Sequence, residues 1–138
     1  MFSIGQLSKR TGVKVPTIRY YEQMGLLAAS ERTEGNQRRY GEGELQQLGF
    51  IKHARDLGFS IAAIRALIEL QDHPDRTCGA ANAIAEAQLE AVRDKIAQLR
   101  KLERELERIT GGCDGAGPSS DCYVLASLAD HGFCGGAH

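Results

Sequence analysis

The chain has 138 residues, 42% of them apolar and 25% charged, which suits a folded globular protein and argues against wholesale disorder. A formal net charge of -1 excludes a uniformly basic nucleic-acid binder. It hides a gradient: nine Lys/Arg against six Asp/Glu in residues 1–60, eight against nine in 61–110, and three Asp with no Lys or Arg in 111–138. No apolar run approaches the roughly 18 residues that a spanning helix needs. The start, Met1-Phe2-Ser3-Ile4-Gly5, lacks a basic and then apolar export signal and predicts a cytoplasmic protein. The four Cys of a protein in that compartment read as thiols or metal ligands before disulfides.

Ser3 and Gln6 form a capping box, which predicts a short helix through Leu7 to about residue 10. Thr11-Gly12-Val13 is a turn. Pro16 suits a first helical position, and a second helix is expected over 16–24 with Gly25 ending it. Two short helices joined by a glycine-containing turn are a helix-turn-helix signature. Residues 28–41 break the pattern, and Gly35-Asn36 between short polar stretches predicts a hairpin, a wing. Helical spacing returns over 42–57, with Leu45, Leu48, Ile51 and Ala54 on one stripe and Gly58 at the end. Ser60 caps a further helix whose apolar face is Ile61, Ile64, Leu67 and Ile68.

Thr77 is the expected cap of a long helix over 78–109. Its apolar positions, Leu89, Val92, Ile96, Leu99, Leu102, Leu106 and Ile109, step by three and four residues, close to a heptad seam. Such a helix is about 50 Å long at 1.5 Å per residue, more than a domain of this size can cover. A parallel or antiparallel dimer is therefore expected. Residues 111–122 form a Gly/Ser/Pro-rich loop, Asp121 can cap a last short helix over 122–129, and the tail 131–138 has no periodicity. The expected organisation is a DNA-binding domain over 1–72, a dimerisation helix over 73–110, and a loop, short helix and tail over 111–138.

The candidate DNA-reading groups sit in the basic part. Lys14 precedes the second helix, whose opening presents Thr17, Arg19 and Tyr20; Ile18 is expected to pack on the first helix. Arg38, Arg39 and Tyr40 in the wing are candidate phosphate contacts.

The stretches Ile4-Gly5-Gln6-Leu7, Thr17-Ile18-Arg19-Tyr20-Tyr21-Glu22, Gly25-Leu26-Leu27, Arg38-Arg39-Tyr40, and Phe50-Ile51-Lys52 through Leu57-Gly58-Phe59-Ser60 resemble the MerR family of bacterial transcriptional regulators. The resemblance covers about residues 3–129. It implies a mainly α fold: a winged helix-turn-helix domain, an antiparallel coiled-coil homodimer and an effector site near the end of the coil. It also implies a mechanism in which the dimer sits on a promoter, and effector binding distorts the DNA so that RNA polymerase can use it.

The antiparallel pairing implied by the resemblance bears on the cysteines. Cys78 and Cys113 lie near opposite ends of the long helix and cannot share an ion within one chain. Antiparallel pairing brings Cys78 of the partner subunit beside Cys113 and Cys122, giving two thiolate sites per dimer. The dipole and free amides of a helix start favour thiolate at Cys78 and Cys122. Three sulfur donors select a soft divalent effector: mercury, lead, cadmium or zinc. The Cys113-x8-Cys122 spacing resembles that of the mercury and lead sensors. Zinc sensors commonly add an adjacent Cys and a loop His, where this chain has Asp114 and Pro118 or Ser119. Asp114, His131, Cys134 and His138 are auxiliary candidate ligands, while His53 and His73 read as structural.

Two other readings remain. A regulator of this fold can sense redox state through its thiols. A thiol redox enzyme is disfavoured, since no C-x-x-C pair and no activating His or Lys motif accompanies the cysteines.

Overall fold

The protein is described from a computed structural model covering residues 1–29, 31–32, 34–35, 37–112, 115–119 and 122–129, without the side chain of residue 31. It is mainly helical: α1 (Ile4–Thr11), α2 (Val15–Gln23), β1 (Glu31–Arg32), β2 (Arg38–Arg39), α3 (Glu42–Asp56), α4 (Ile61–Gln71), α5 (Gly79–Gly111) and α6 (Tyr123–Ala129). Two compact units are present, residues 1–88 and 89–138, so the first turns of α5 belong with the first unit. No described helix is long and apolar enough to cross a membrane.

α1 opens with the expected capping box: Ser3 Oγ accepts from the Gln6 N–H at 3.2 Å, and Gln6 Oε1 accepts from the Ser3 N–H at 2.8 Å. Gly12 closes it in the left-handed region at φ 76°, where a Cβ is strained. Thr11 fixes the turn. Its hydroxyl donates to the Leu7 carbonyl at 2.9 Å and accepts from the Val13 N–H at 3.2 Å. α2 begins at Val15, one residue before the expected Pro16, with Lys14 at the cap position.

The first unit is built around Leu7, Ile18, Tyr40, Leu48, Ile51 and Ile64, all fully buried. Burial of each such aliphatic side chain contributes about 1.5–3 kcal/mol. The expected stripe on α3 is the buried face, with Leu45 packed partly against it. Ser60 caps α4 through the Ala63 N–H at 3.1 Å.

The wing is an antiparallel pair with Glu31 opposite Arg39 and Arg32 opposite Arg38. Phe2 extends it by a bridge to Tyr40: Phe2 N–H donates to the Tyr40 carbonyl at 2.6 Å, and Tyr40 N–H to the Phe2 carbonyl at 2.8 Å. The Arg10 guanidinium lies 4.7 Å from the centre of the Phe2 ring, holding that arm down.

The starts of α5 and α6 differ from expectation by one residue. Asn82 N–H donates to the Cys78 carbonyl at 2.9 Å, the place Ser3 and Ser60 hold in α1 and α4. Cys78, not Thr77, is the residue at the head of α5. Ala126 N–H likewise donates to the Cys122 carbonyl at 3.1 Å, so Cys122 heads α6 rather than lying within it.

Tyr40 is buried, and its hydroxyl donates to a carboxylate, that of Glu22 on α2. Burial, then the Glu22 hydrogen bond, pushes its pKa well above the ordinary tyrosine range. The folded state therefore holds this proton more tightly than the unfolded state. The resulting stability is complete below about pH 10, the unfolded tyrosine value, and is lost as pH rises above it. Tyr40→Phe is expected to cost about 1.5–3 kcal/mol at neutral pH, as for a hydrogen bond to a charged acceptor. It is also expected to flatten the fall in stability above pH 10, read by urea denaturation between pH 8 and pH 11. A variant as stable as the unaltered chain would remove the Glu22 bond from the fold's supports.

Candidate nucleic-acid interface and cysteine positions

The expected DNA-reading residues separate into three groups. Arg19 on α2 and Arg38 on β2 line one concavity of about 390 Å³, together with Ser3, Ile4, Arg32 and Gln37. Lys14, at the cap of α2, and Tyr20 on that helix are exposed, and Thr17 is half-buried, all outside that lining. Arg39 alternates to the other face of β2 from Arg38. Tyr40 departs from expectation. It is fully buried, with its hydroxyl on Glu22, so it seats the wing on α2 rather than offering a phenol to phosphate.

Arg32 was not among the expected DNA-facing residues. The signal was present in the hairpin: strands paired symmetrically about Gly35 place Arg32 opposite Arg38. Like charges directly opposite each other in a ladder are destabilising. Arg38 is compensated by Glu22 at 3.1 Å, with side chains 38% and 12% exposed. The wing thus brings Arg32 and Arg38, across from each other, to the same concavity as Arg19. Glu22 belongs to a stretch that carries the family resemblance, but its pairing was not legible from spacing, because its partners lie 16 and 18 positions away.

Cys78 and Cys122 are thiols outside any disulfide, exposed and half-buried respectively. Cys78 lines a mainly apolar concavity of about 300 Å³ with Phe50, Leu67, Leu70, Pro74 and Ala81, and His73 and Arg76 lie at the same place. His53 is exposed on α3. Among the described residues no three His, Cys, Asp or Glu side chains converge. Cys113, Asp114, His131, Cys134 and His138 lie outside the described residues.

In the second unit, Tyr123 at the start of α6 accepts a hydrogen bond from Arg108 Nη1 at 2.6 Å, and Arg108 pairs with Glu105. That Glu105 bond pushes the Arg108 guanidinium upward in pKa. Ile109 and Ser127 are buried in this unit. Along α5, Leu89, Ile96, Leu99 and Leu106 are 43–63% exposed in the single chain.

A helix-turn-helix with a basic wing defines a DNA-binding protein of the winged class. The profile for the MerR HTH family regulatory protein matches residues 2–71, and that for MerR, DNA binding matches 45–109. The HTH-type transcriptional regulator ZntR of Escherichia coli K12 is 41% identical over 93% of this chain and 92% of its own length. The mercuric resistance operon regulatory protein of Pseudomonas fluorescens is 37% identical over 91% and 86%. The crystal structure of the regulator PbrR691 from Ralstonia metallidurans CH34, in complex with lead(II), is 42% identical with a TM-score of 0.78, covering 93% of this chain and 99% of that one. The chain belongs to the MerR family of transcriptional regulators, and is a DNA-binding protein rather than an enzyme.

Arg32→Ala and Arg38→Ala are each expected to weaken binding to operator and random DNA alike. Each should lower the slope of log affinity against log salt by about 0.9 for every phosphate that the variant no longer neutralises. Fluorescence anisotropy at several salt concentrations reads both. An unchanged slope for Arg32→Ala would take that residue out of the interface.

Proposed function

We propose that this protein is a homodimeric, soft-metal-responsive transcriptional regulator that represses its promoter without metal and activates it with a bound ion of the mercury, lead, cadmium or zinc class. It does so by distorting promoter DNA for RNA polymerase, rather than by making new contacts with base edges. The effector site consists of Cys113 and Cys122 of one chain and Cys78 of the partner subunit, with Asp114, His131, Cys134 and His138 as auxiliary donors.

The observation that carries this reading is the placement of two cysteines outside any disulfide, Cys78 and Cys122, at the heads of α5 and α6. The chain also matches a lead(II)-bound regulator over 93% of its length. The donor chemistry fits the group, since reduced thiols are soft ligands that select soft ions over magnesium or calcium. When bound, the ion supplies sulfur–metal bonds that tie the thiols together. The exposed seam of α5 supports a dimer. Leu89, Ile96, Leu99 and Leu106 repeat at close to heptad spacing on a 33-residue helix and need a second apolar surface.

Cys78→Ser alone is expected to abolish the metal response, because every site loses one thiolate. The double change Cys113→Ser with Cys122→Ser removes the other two. A heterodimer of the two variants should regain one intact site, and metal titration should find one tight site per dimer against two in the unaltered protein. A heterodimer that binds no metal tightly, while the unaltered dimer binds two ions, would overturn the shared arrangement.

A further inference from the structure

The loop that carries the sequence-expected cysteines begins after Gly112 and ends before Tyr123, and these two flanking residues are packed against each other. A methyl group built on Gly112 would lie 2.6 Å from Tyr123 Cε1 and 2.7 Å from Cγ, closer than side-chain carbons approach. Only glycine leaves room for the ring there. The same ring is held from a second direction. Arg108 Nη1 donates to its hydroxyl at 2.6 Å, and the guanidinium carbon lies 5.8 Å from the ring centre. Arg108 is in turn fixed by Glu105, one turn back on α5. Cys122 precedes Tyr123, and its backbone is set by bonds from its own N–H to the Ser119 carbonyl at 3.2 Å and from Ala126 N–H to its carbonyl at 3.1 Å.

We propose that Tyr123 is a positioning residue of the effector site: clamped between Gly112 and the Arg108–Glu105 pair, it fixes the end of α5 to the start of α6 and so holds the Cys122 thiol for metal. This rests on the proposed function. The ring is not itself a proposed ligand. It acts by removing freedom from the residue beside a ligand, and such supporting contacts are commonly worth about 10- to 100-fold in metal affinity. The clamp belongs to residues 105–123 and makes no use of the DNA-reading unit.

The test uses the full-length reduced protein with lead(II) as the probe. Affinity is read by competition titration, and the number and arrangement of thiolates by sulfur-to-metal charge-transfer absorption. Tyr123→Ala is expected to weaken lead(II) binding by about tenfold or more and to alter the charge-transfer band, with operator affinity unchanged. Tyr123→Phe keeps the ring against Gly112 and is expected to restore most of the affinity. Gly112→Ala leaves the tyrosine in place but displaces its ring, and should reproduce the loss. It serves as the second test should Tyr123→Ala lose helicity. Tyr123→Ala or Gly112→Ala with unaltered affinity and an unaltered band would overturn the positioning role while the sensor reading stands. Failure of the unaltered protein itself to give thiolate-to-lead charge transfer would overturn the proposed function instead.

Discussion

The DNA-reading unit depends on one carboxylate. Glu22 lies near the end of α2, is 12% exposed, and takes a hydrogen bond from the Tyr40 hydroxyl and an ion pair from Arg38. A two-stranded ribbon of two residues per strand cannot hold itself in water. Its position must come from elsewhere, and it comes from Tyr40, sunk in the core, and from the backbone bridge to Phe2. Glu22 joins that anchor to the helix carrying Arg19. The wing is thereby tied to the helix that carries Arg19 through Glu22 itself.

Glu22 also resolves an electrostatic conflict. Arg32, Arg38 and Arg19 line one concavity. An exposed ion pair contributes little stability, about 0–1 kcal/mol. A partly buried carboxylate beside Arg38 offsets part of its charge without filling the groove. The overall charge of -1 is thus no guide to this surface, because the three Asp of residues 111–138 offset the basic excess of residues 1–60 in the sum.

Much of this was legible in the sequence because it is local. The Ser3–Gln6 box, the Gly12 turn, the Ser60 cap and the stripe on α3 each involve residues within four or so positions, and each lies where spacing placed it. The misplacements are equally instructive. Thr77 and Asp121 looked like caps by residue type, yet cysteines head both helices, although the cap preference runs toward Thr and Asp. Tyr40 looked like a surface group beside two arginines. Its alternation in the strand says only that it faces away from Arg39, not that the facing side is core. Arg32 required the hairpin register, and Glu22 and Gly112 required tertiary contacts that no spacing rule encodes.

The long helix explains why the thiols are spread along the chain. α5 is continuous over 33 residues, yet the division into compact units falls inside it, after Gln88. Gln88 is bound into the first unit, since its side-chain N–H donates to the Leu57 carbonyl at 2.9 Å beside Gly58, and the Gly58 φ of 89° leaves that carbonyl open at the end of α3. Cys78 is therefore rooted with the DNA-reading helices, whereas Cys122 is rooted through Tyr123 in the second unit. An ion held by one chain's Cys122 and the partner's Cys78, as proposed above, joins a sensor unit to a DNA-reading unit of the other chain. A ligand set confined to one loop would fold that loop and leave the helices where they were. A set divided between units shifts an equilibrium only if its bonds are stronger in one arrangement than in another.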